Sequence, residues 1–133
     1  MSEVFADTAY FIALFSRADE HHRAAVEVST GLTQRLVASD WVFVEVADGF
    51  AGTRNRSLIQ PLVARLRGSL QSEVVRVSPS LFDEAIDLYH QYEDEEWTLT
   101  DCTSFLIMRE RGITEALTTD HPSEQADMIA LLK

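Results

Sequence analysis

Three times along the chain a short apolar run gives way to a helical pattern, and a fourth run follows the last of the helices. The runs are Val4–Ala6, Arg35–Ala38, Val74–Val77 and Glu115–Thr119, and Met128–Leu132 reads as a short fifth at an edge. Strands that alternate with helices along a whole chain pair in parallel, because a parallel connection needs a crossover and the crossover is usually a helix. Val4–Ala6 is apolar on both faces, as expected of a central parallel strand. The expectation is an α/β chain: a three-layer α/β/α fold around a central, mainly parallel sheet of four to five strands. With 133 residues and no repeat, low-complexity tract or linker, residues 1–133 read as one domain.

Caps and helical spacing place the crossovers. Thr8 stands to cap a helix bearing Phe11, Ile12, Leu14 and Phe15. Asp19-Glu20-His21-His22 starts a second, with Ala24, Ala25, Val28 and Leu32 at helical spacing and Gly31 at its end. Ser39 or Asp40 caps a third, Trp41 to about Ala51, whose buried stripe is Val42, Val46 and Phe50. A fourth, Leu58–Leu70, carries Leu58, Leu62, Leu66 and Leu70. Ser78-Pro79-Ser80 opens a fifth that runs to about Tyr92. Thr100 is placed to cap a sixth, with Asp101 in its first turn, Arg111 at its end and Gly112 as its stop.

Composition narrows the class of protein. No apolar run approaches the roughly 20 residues of a membrane span, and no signal peptide is visible in residues 1–15. The one cysteine, Cys102, leaves no internal disulfide, which favours a cytoplasmic setting. The net charge of −11 argues against passive binding to nucleic acid. Its distribution is uneven. Between Arg54 and Arg76 stand five arginines and only Glu73 among acids, a local +4, so the remainder carries −15. Those arginines could follow an RNA backbone, sit in solvent, or meet an acidic partner.

The acids concentrate at one topological address. Asp7 and Asp120 end strands, Asp101 begins a helix, and Glu45 lies about one turn into the helix after the second strand. In an open α/β sheet all four places border the carboxyl edge, where ligands bind. Carboxylates gathered there repel one another unless a cation is present. An all-oxygen set without His or Cys selects a hard ion, Mg²⁺ or Mn²⁺, and such ions promote hydrolysis of phosphodiesters. Each acid alone has a plainer explanation: Asp7 as a helix cap, Asp101 as a first-turn acid, Glu45 as a surface residue, Asp120 as a turn residue. His21 and His22 are adjacent on a helix and point about 100° apart, so they chelate poorly. Cys102 reads as a small buried residue.

The stretches Phe5-Ala6-Asp7-Thr8, Val42-Phe43-Val44-Glu45-Val46, Trp97-Thr98-Leu99-Thr100-Asp101-Cys102-Thr103-Ser104-Phe105 and Glu115-Ala116-Leu117-Thr118-Thr119-Asp120 together resemble PIN-domain ribonucleases of the VapC-type toxin class. They stand in the family's order and span nearly the whole chain. The resemblance implies a PIN-like fold, divalent-metal-dependent cleavage of RNA, frequent homodimerisation and a small antitoxin partner. It implies that Asp7, Glu45, Asp101 and Asp120 are the catalytic, metal-holding acids, and that Thr8 steers the Asp7 carboxylate. The chain departs from the family at His121-Pro122-Ser123, where the usual aromatic anchor is missing. A catalytically degenerate module that binds RNA or protein is the alternative. An aspartate-nucleophile phosphatase would need a second Asp at position 9, which is Ala9.

Overall fold

The structure, a computed structural model, describes residues 2–119 and 129–132. Five strands, β1 (Glu3–Ala6), β2 (Arg35–Ser39), β3 (Ser72–Val75), β4 (Glu115–Leu117) and β5 (Ile129–Ala130), form one sheet in the order β3-β2-β1-β4-β5. Every pairing is parallel. Among the described residues six α-helices connect or cover them: α1 (Thr8–Phe15), α2 (His22–Gly31), α3 (Asp40–Phe50), α4 (Ile59–Gly68), α5 (Pro79–Gln91) and α6 (Leu99–Arg111), with a short 3-10 helix at Arg54–Leu58 before α4. The three-layer α/β/α arrangement expected from the alternating pattern is borne out.

β1 is the middle strand, and Val4, Phe5 and Ala6 are buried completely or nearly so. The principal core gathers them with Leu36, Val37 and Ala38 of β2, Val42, Phe43 and Val46 of α3, and Ile107 and Met108 of α6. A second, smaller core of Ala85, Leu88, Cys102 and Phe105 joins α5 to α6. Trp97 packs on both Tyr92 and Phe105, with ring centroids 4.8 and 5.0 Å apart, and so pins the segment entering α6.

Several boundaries differ from the sequence reading, each for a local reason. β3 occupies 72–75 rather than 74–77 because β2 ends at Ser39, whose last ladder partner is Val75. Ser39 then turns to capping, its hydroxyl accepting from Val42 N at 3.2 Å. α2 begins at His22, since Asp19 Oδ1 accepts from His21 N at 2.9 Å and holds the acids in a turn before the helix. In α4 the inner side is Ile59, Leu62, Val63 and Leu66. Leu70 falls past the helix end and is 91% exposed, so the expected four-leucine stripe is not what buries this helix. Gly112 ends α6 as expected, at φ 68°, a conformation that glycine reaches without a Cβ penalty.

Candidate active site

The carboxyl edge of the sheet is built around Asp7. Its amide donates to Leu117 O at 3.2 Å, which ties the residue after β1 to the end of β4. Its carbonyl accepts from Tyr10 N at 3.1 Å, so the chain turns into α1 at once. Asp7, and not Thr8, occupies the cap position, and its side chain caps nothing. That carboxylate is only 6% exposed. Thr118, fully buried one residue beyond β4, donates its hydroxyl to Asp7 Oδ2 at 3.0 Å. A buried carboxylate needs polar partners, and the Thr118 hydroxyl is one of them.

Glu45 joins this centre through Thr8. The Thr8 hydroxyl donates to Glu45 Oε1 at 2.7 Å, linking the first residue of α1 to the middle of α3. α1 and α3 pack together, and Glu45 lies half-buried between the buried Val42 and Val46. One peptide bond therefore couples the placement of two acids: Asp7 is fixed by β4, and the next residue fixes Glu45. The hydroxyl expected to steer Asp7 is engaged by Glu45, and Thr118 provides a hydroxyl to Asp7.

Asp101 reaches the same edge through the direction of α6. Arg111, at the C-terminal end of α6, donates to Glu73 Oε2 at 2.6 Å and stands 3.7 Å from Glu3, at the opposite edge of the sheet. Glu3 opens β1, so α6 runs antiparallel to that strand. Ten residues of helix rise about 15 Å, and four residues of strand about 13 Å. Asp101, in the first turn of α6, thus lies toward the carboxyl side, as Asp7 does. The α6 terminus is fixed by a capping box. Thr98 Oγ1 accepts from Asp101 N at 3.0 Å, and Asp101 Oδ2 accepts from Thr98 N at 2.9 Å. The cap is Thr98 rather than Thr100, whose side chain is buried instead. One carboxylate oxygen of Asp101 serves the helix terminus.

Asp120, the fourth acid of the sequence reading, and the segment His121-Pro122-Ser123 lie outside the described residues. Among the described residues, no group of three or more Asp, Glu, His or Cys side chains is spaced to hold a metal ion. The donor chemistry of Asp7, Glu45 and Asp101 fits a hard divalent cation, being oxygen throughout and partly withdrawn from water.

Other tempting residues resolve into structural roles. His22 Nδ1 donates to Ala13 O at 2.8 Å and fastens α2 to α1. Cys102 is buried among α5 and α6 residues, and burial, aided by the Asp101 charge, pushes its thiol up to about 11. At neutral pH it is protonated and a poor nucleophile. Of the arginines between 54 and 76, Arg67 and Arg76 both reach Asp40 Oδ1, at 3.2 and 3.9 Å. Asp40 follows β2 directly, so this charge sits beside the carboxyl edge. Arg54 and Arg65 are exposed.

Two residues of this edge had no role in the sequence reading. Thr98 was signalled by its Thr-x-x-Asp spacing to Asp101, the pattern of a capping box. Thr118 carried no such signal, since its bond to Asp7 spans 111 positions.

Comparison with known proteins bears on this geometry. Residues 4–127 match the model of the PIN domain family. Over 117 residues the chain is 26% identical to a 23S rRNA-specific endonuclease, VapC20, of Mycobacterium tuberculosis, covering 88% of each chain. The crystal structure of that protein, described as a sarcin–ricin-loop-cleaving toxin, superimposes with a TM-score of 0.83 at 24% identity over 95% of this chain and 96% of the other. A toxin–antitoxin complex from Klebsiella pneumoniae gives 0.63 at 16% identity, over 88% and 86% of the chains. FitAcB from Neisseria gonorrhoeae gives 0.64 at 15%, over 98% and 96%. The structural likenesses carry the fold.

Proposed function

The chain belongs to the PIN domain family, and on that premise we propose that it is an endoribonuclease dependent on Mg²⁺ or Mn²⁺, acting as the toxin of a type II toxin–antitoxin pair. The observation that carries the proposal is Asp7: a carboxylate at the carboxyl end of the central strand, buried and met by the Thr118 hydroxyl. The relatives point the same way, since VapC20 is named as an RNA endonuclease and a toxin.

In this reading Asp7, Glu45, Asp101 and Asp120 hold the cation. Its chemistry, when bound, is Lewis-acid activation of water and neutralisation of charge on the scissile phosphodiester. The chain's own residues provide the frame. Thr118 orients the Asp7 carboxylate, Thr8 orients that of Glu45, and Thr98 holds the Asp101 turn against the edge. Arg67 and Arg76, at the Asp40 corner, together with the exposed Arg54 and Arg65, give an otherwise acidic protein a surface that meets RNA phosphates. An antitoxin tail competing for this edge, a homodimer and a cytoplasmic site of action complete the proposal. No helix among the described residues is long and apolar enough to cross a membrane.

A second reading is a PIN-fold module that binds RNA or protein without cleaving. It is favoured by the lack of a metal-ready group of three among the described residues. One set of assays separates the two. Ribosomal and total RNA are incubated with the protein and Mn²⁺ or Mg²⁺, with EDTA, and with Asp7→Asn or Asp101→Asn. The nuclease reading expects cleavage that EDTA abolishes and that each substitution lowers at least ~100-fold, beyond what loss of an outer-shell contact costs. Cleavage that survives chelation and both substitutions overturns it. A protein that neither binds Mn²⁺ nor cuts RNA is the degenerate module.

A further inference from the structure

Ser104 is 4% exposed, and its hydroxyl has no hydrogen-bond partner among the described residues. A buried polar atom left unpaired costs free energy, and such atoms are uncommon. The usual remedy for a helical serine is to donate to the carbonyl four residues back. Here that carbonyl belongs to Thr100, and the Thr103 hydroxyl already donates to it at 2.7 Å. With the helical amide also directed there, both lone pairs of the Thr100 oxygen are in use. Thr100 O is thus taken, and Ser104 Oγ does not bond the carbonyl three residues back either.

The position of the residue gives that orphan a meaning. Ser104 lies three residues after Asp101, on the same side of α6 and one turn along. Helical side chains tilt toward the N-terminus, so the Ser104 hydroxyl leans back over the Asp101 turn. Ser104 also shares its side of the helix with Ile107 and Met108, which belong to the core around β1, whereas Cys102 and Phe105 face α5. Counted up from the Arg111–Glu3 contact, Ser104 stands about 10 Å along α6 and Asp101 about 15 Å. Asp7 stands about 13 Å along β1 from Glu3, toward the same carboxyl side. A deep hydroxyl without a partner among the described residues is thus set one turn after Asp101 and toward the strand that carries Asp7.

We propose that Ser104 is a positioning residue of the acidic site, its hydroxyl held for an ordered water that bridges to the Asp101 and Asp7 carboxylates when the cation is bound. This rests on the nuclease reading and deepens it by naming a residue beyond the four acids and their threonines. A bridging water needs two or more polar partners, which Ser104 and the two carboxylates supply. Partners of this outer kind orient ligand carboxylates, and their loss typically lowers metal affinity or activity by 10–100-fold.

The test uses the full chain without RNA, titrated with Mn²⁺ by calorimetry or electron paramagnetic resonance, alongside thermal melts of the metal-free protein. Ser104→Ala removes only the hydroxyl. The expected result is Mn²⁺ binding about ten-fold weaker, a melting temperature unchanged or raised, and a lower kcat on RNA at unchanged KM. Ser104→Thr, which keeps the hydroxyl, should retain affinity within about two-fold. An alanine variant that binds Mn²⁺ like wild type refutes the proposal and makes Ser104 a packing residue. A threonine variant that loses affinity as alanine does refutes it too, because shape and not the hydroxyl would then matter. Asp7→Asn serves as the control. If it abolishes Mn²⁺ binding while Ser104→Ala changes nothing, the Ser104 role fails and the nuclease reading stands. If wild type binds no Mn²⁺, both fall.

Discussion

Replacing Thr118 by Val removes one hydroxyl and nearly preserves shape, at a residue that is wholly buried. The hydroxyl donates to Asp7 Oδ2 at 3.0 Å, and Asp7 is itself 6% exposed, so bulk water cannot readily take the vacated place. A hydrogen bond to a charged group contributes ~1.5–3 kcal/mol, and orphaning the buried acceptor pushes toward the upper end. The methyl that replaces the hydroxyl gains back up to ~0.8 kcal/mol of apolar burial. The expected net loss is ~1–2 kcal/mol, which for a chain of this size lowers the melting temperature by about 3–8 °C. Urea melts followed by circular dichroism measure it, with an unchanged m-value as the check that both states keep their exposure. The Asp7→Asn background sharpens the test. Charge-assisted bonds are roughly twice as strong as neutral ones, so Thr118→Val should cost about half as much there. A cost below ~0.5 kcal/mol in the wild type, or an equal cost in both backgrounds, refutes the claim that Thr118 serves a charged Asp7.

Two further perturbations probe the ends of α6. Thr98→Ala removes the hydroxyl half of the capping box and should cost ~1 kcal/mol, seen as a drop of about 3–4 °C in the melt; it should also weaken Mn²⁺ binding, because the Asp101 turn loses its anchor, and a stability loss with unaltered affinity would separate the cap from the site. Glu73 takes hydrogen bonds from Arg111 and Arg35, and the Arg111 bond is the main reason its carboxyl is held below the ordinary value of 4.5. A carboxyl depressed in the folded state adds stability that is fully present above that ordinary value and lost as pH falls through the lowered one. Melts between pH 3 and 7 should therefore show a steeper acid decline for wild type than for Glu73→Gln, which starts lower at neutral pH; parallel acid limbs would contradict the assignment.

The alternation of apolar runs and helical stripes was enough to read the sheet, because a parallel ladder with helical crossovers leaves few topologies. Val4–Ala6 is buried as expected, and Asp7 follows it at the edge. What the sequence concealed depends on contacts across the fold. Thr98 as the cap is the exception, a local Thr-x-x-Asp box whose hydroxyl meets Asp101 N. Leu70 fits the α4 stripe by spacing, but Gly68 ends the helix and Leu70 turns outward. The partners of the acids were the least legible: Thr118 reaches Asp7 across 111 positions and Thr8 reaches Glu45 across 37, and no local pattern encodes either pairing.

The two edges of the sheet are held in different ways. At the carboxyl edge Asp7 and Glu45 are each met by a threonine hydroxyl, from Thr118 and Thr8. At the amino edge Glu3, Arg35, Glu73 and Arg111 form a closed set of ion pairs at 2.6–3.7 Å, with two arginines answering two glutamates. These groups are only partly exposed, and a network of this kind contributes more than its pairs taken singly. Arg35 belongs to β2, Glu73 to β3, Glu3 to β1 and Arg111 to α6, so the network clamps three strands and the helix that carries Asp101. α6 is thereby fixed at Arg111 by opposite charges and at Thr98 by its capping box, and its 13 residues, Leu99–Arg111, are a stiff helix. The carboxylate at one end stands where it does because the guanidinium at the other is held.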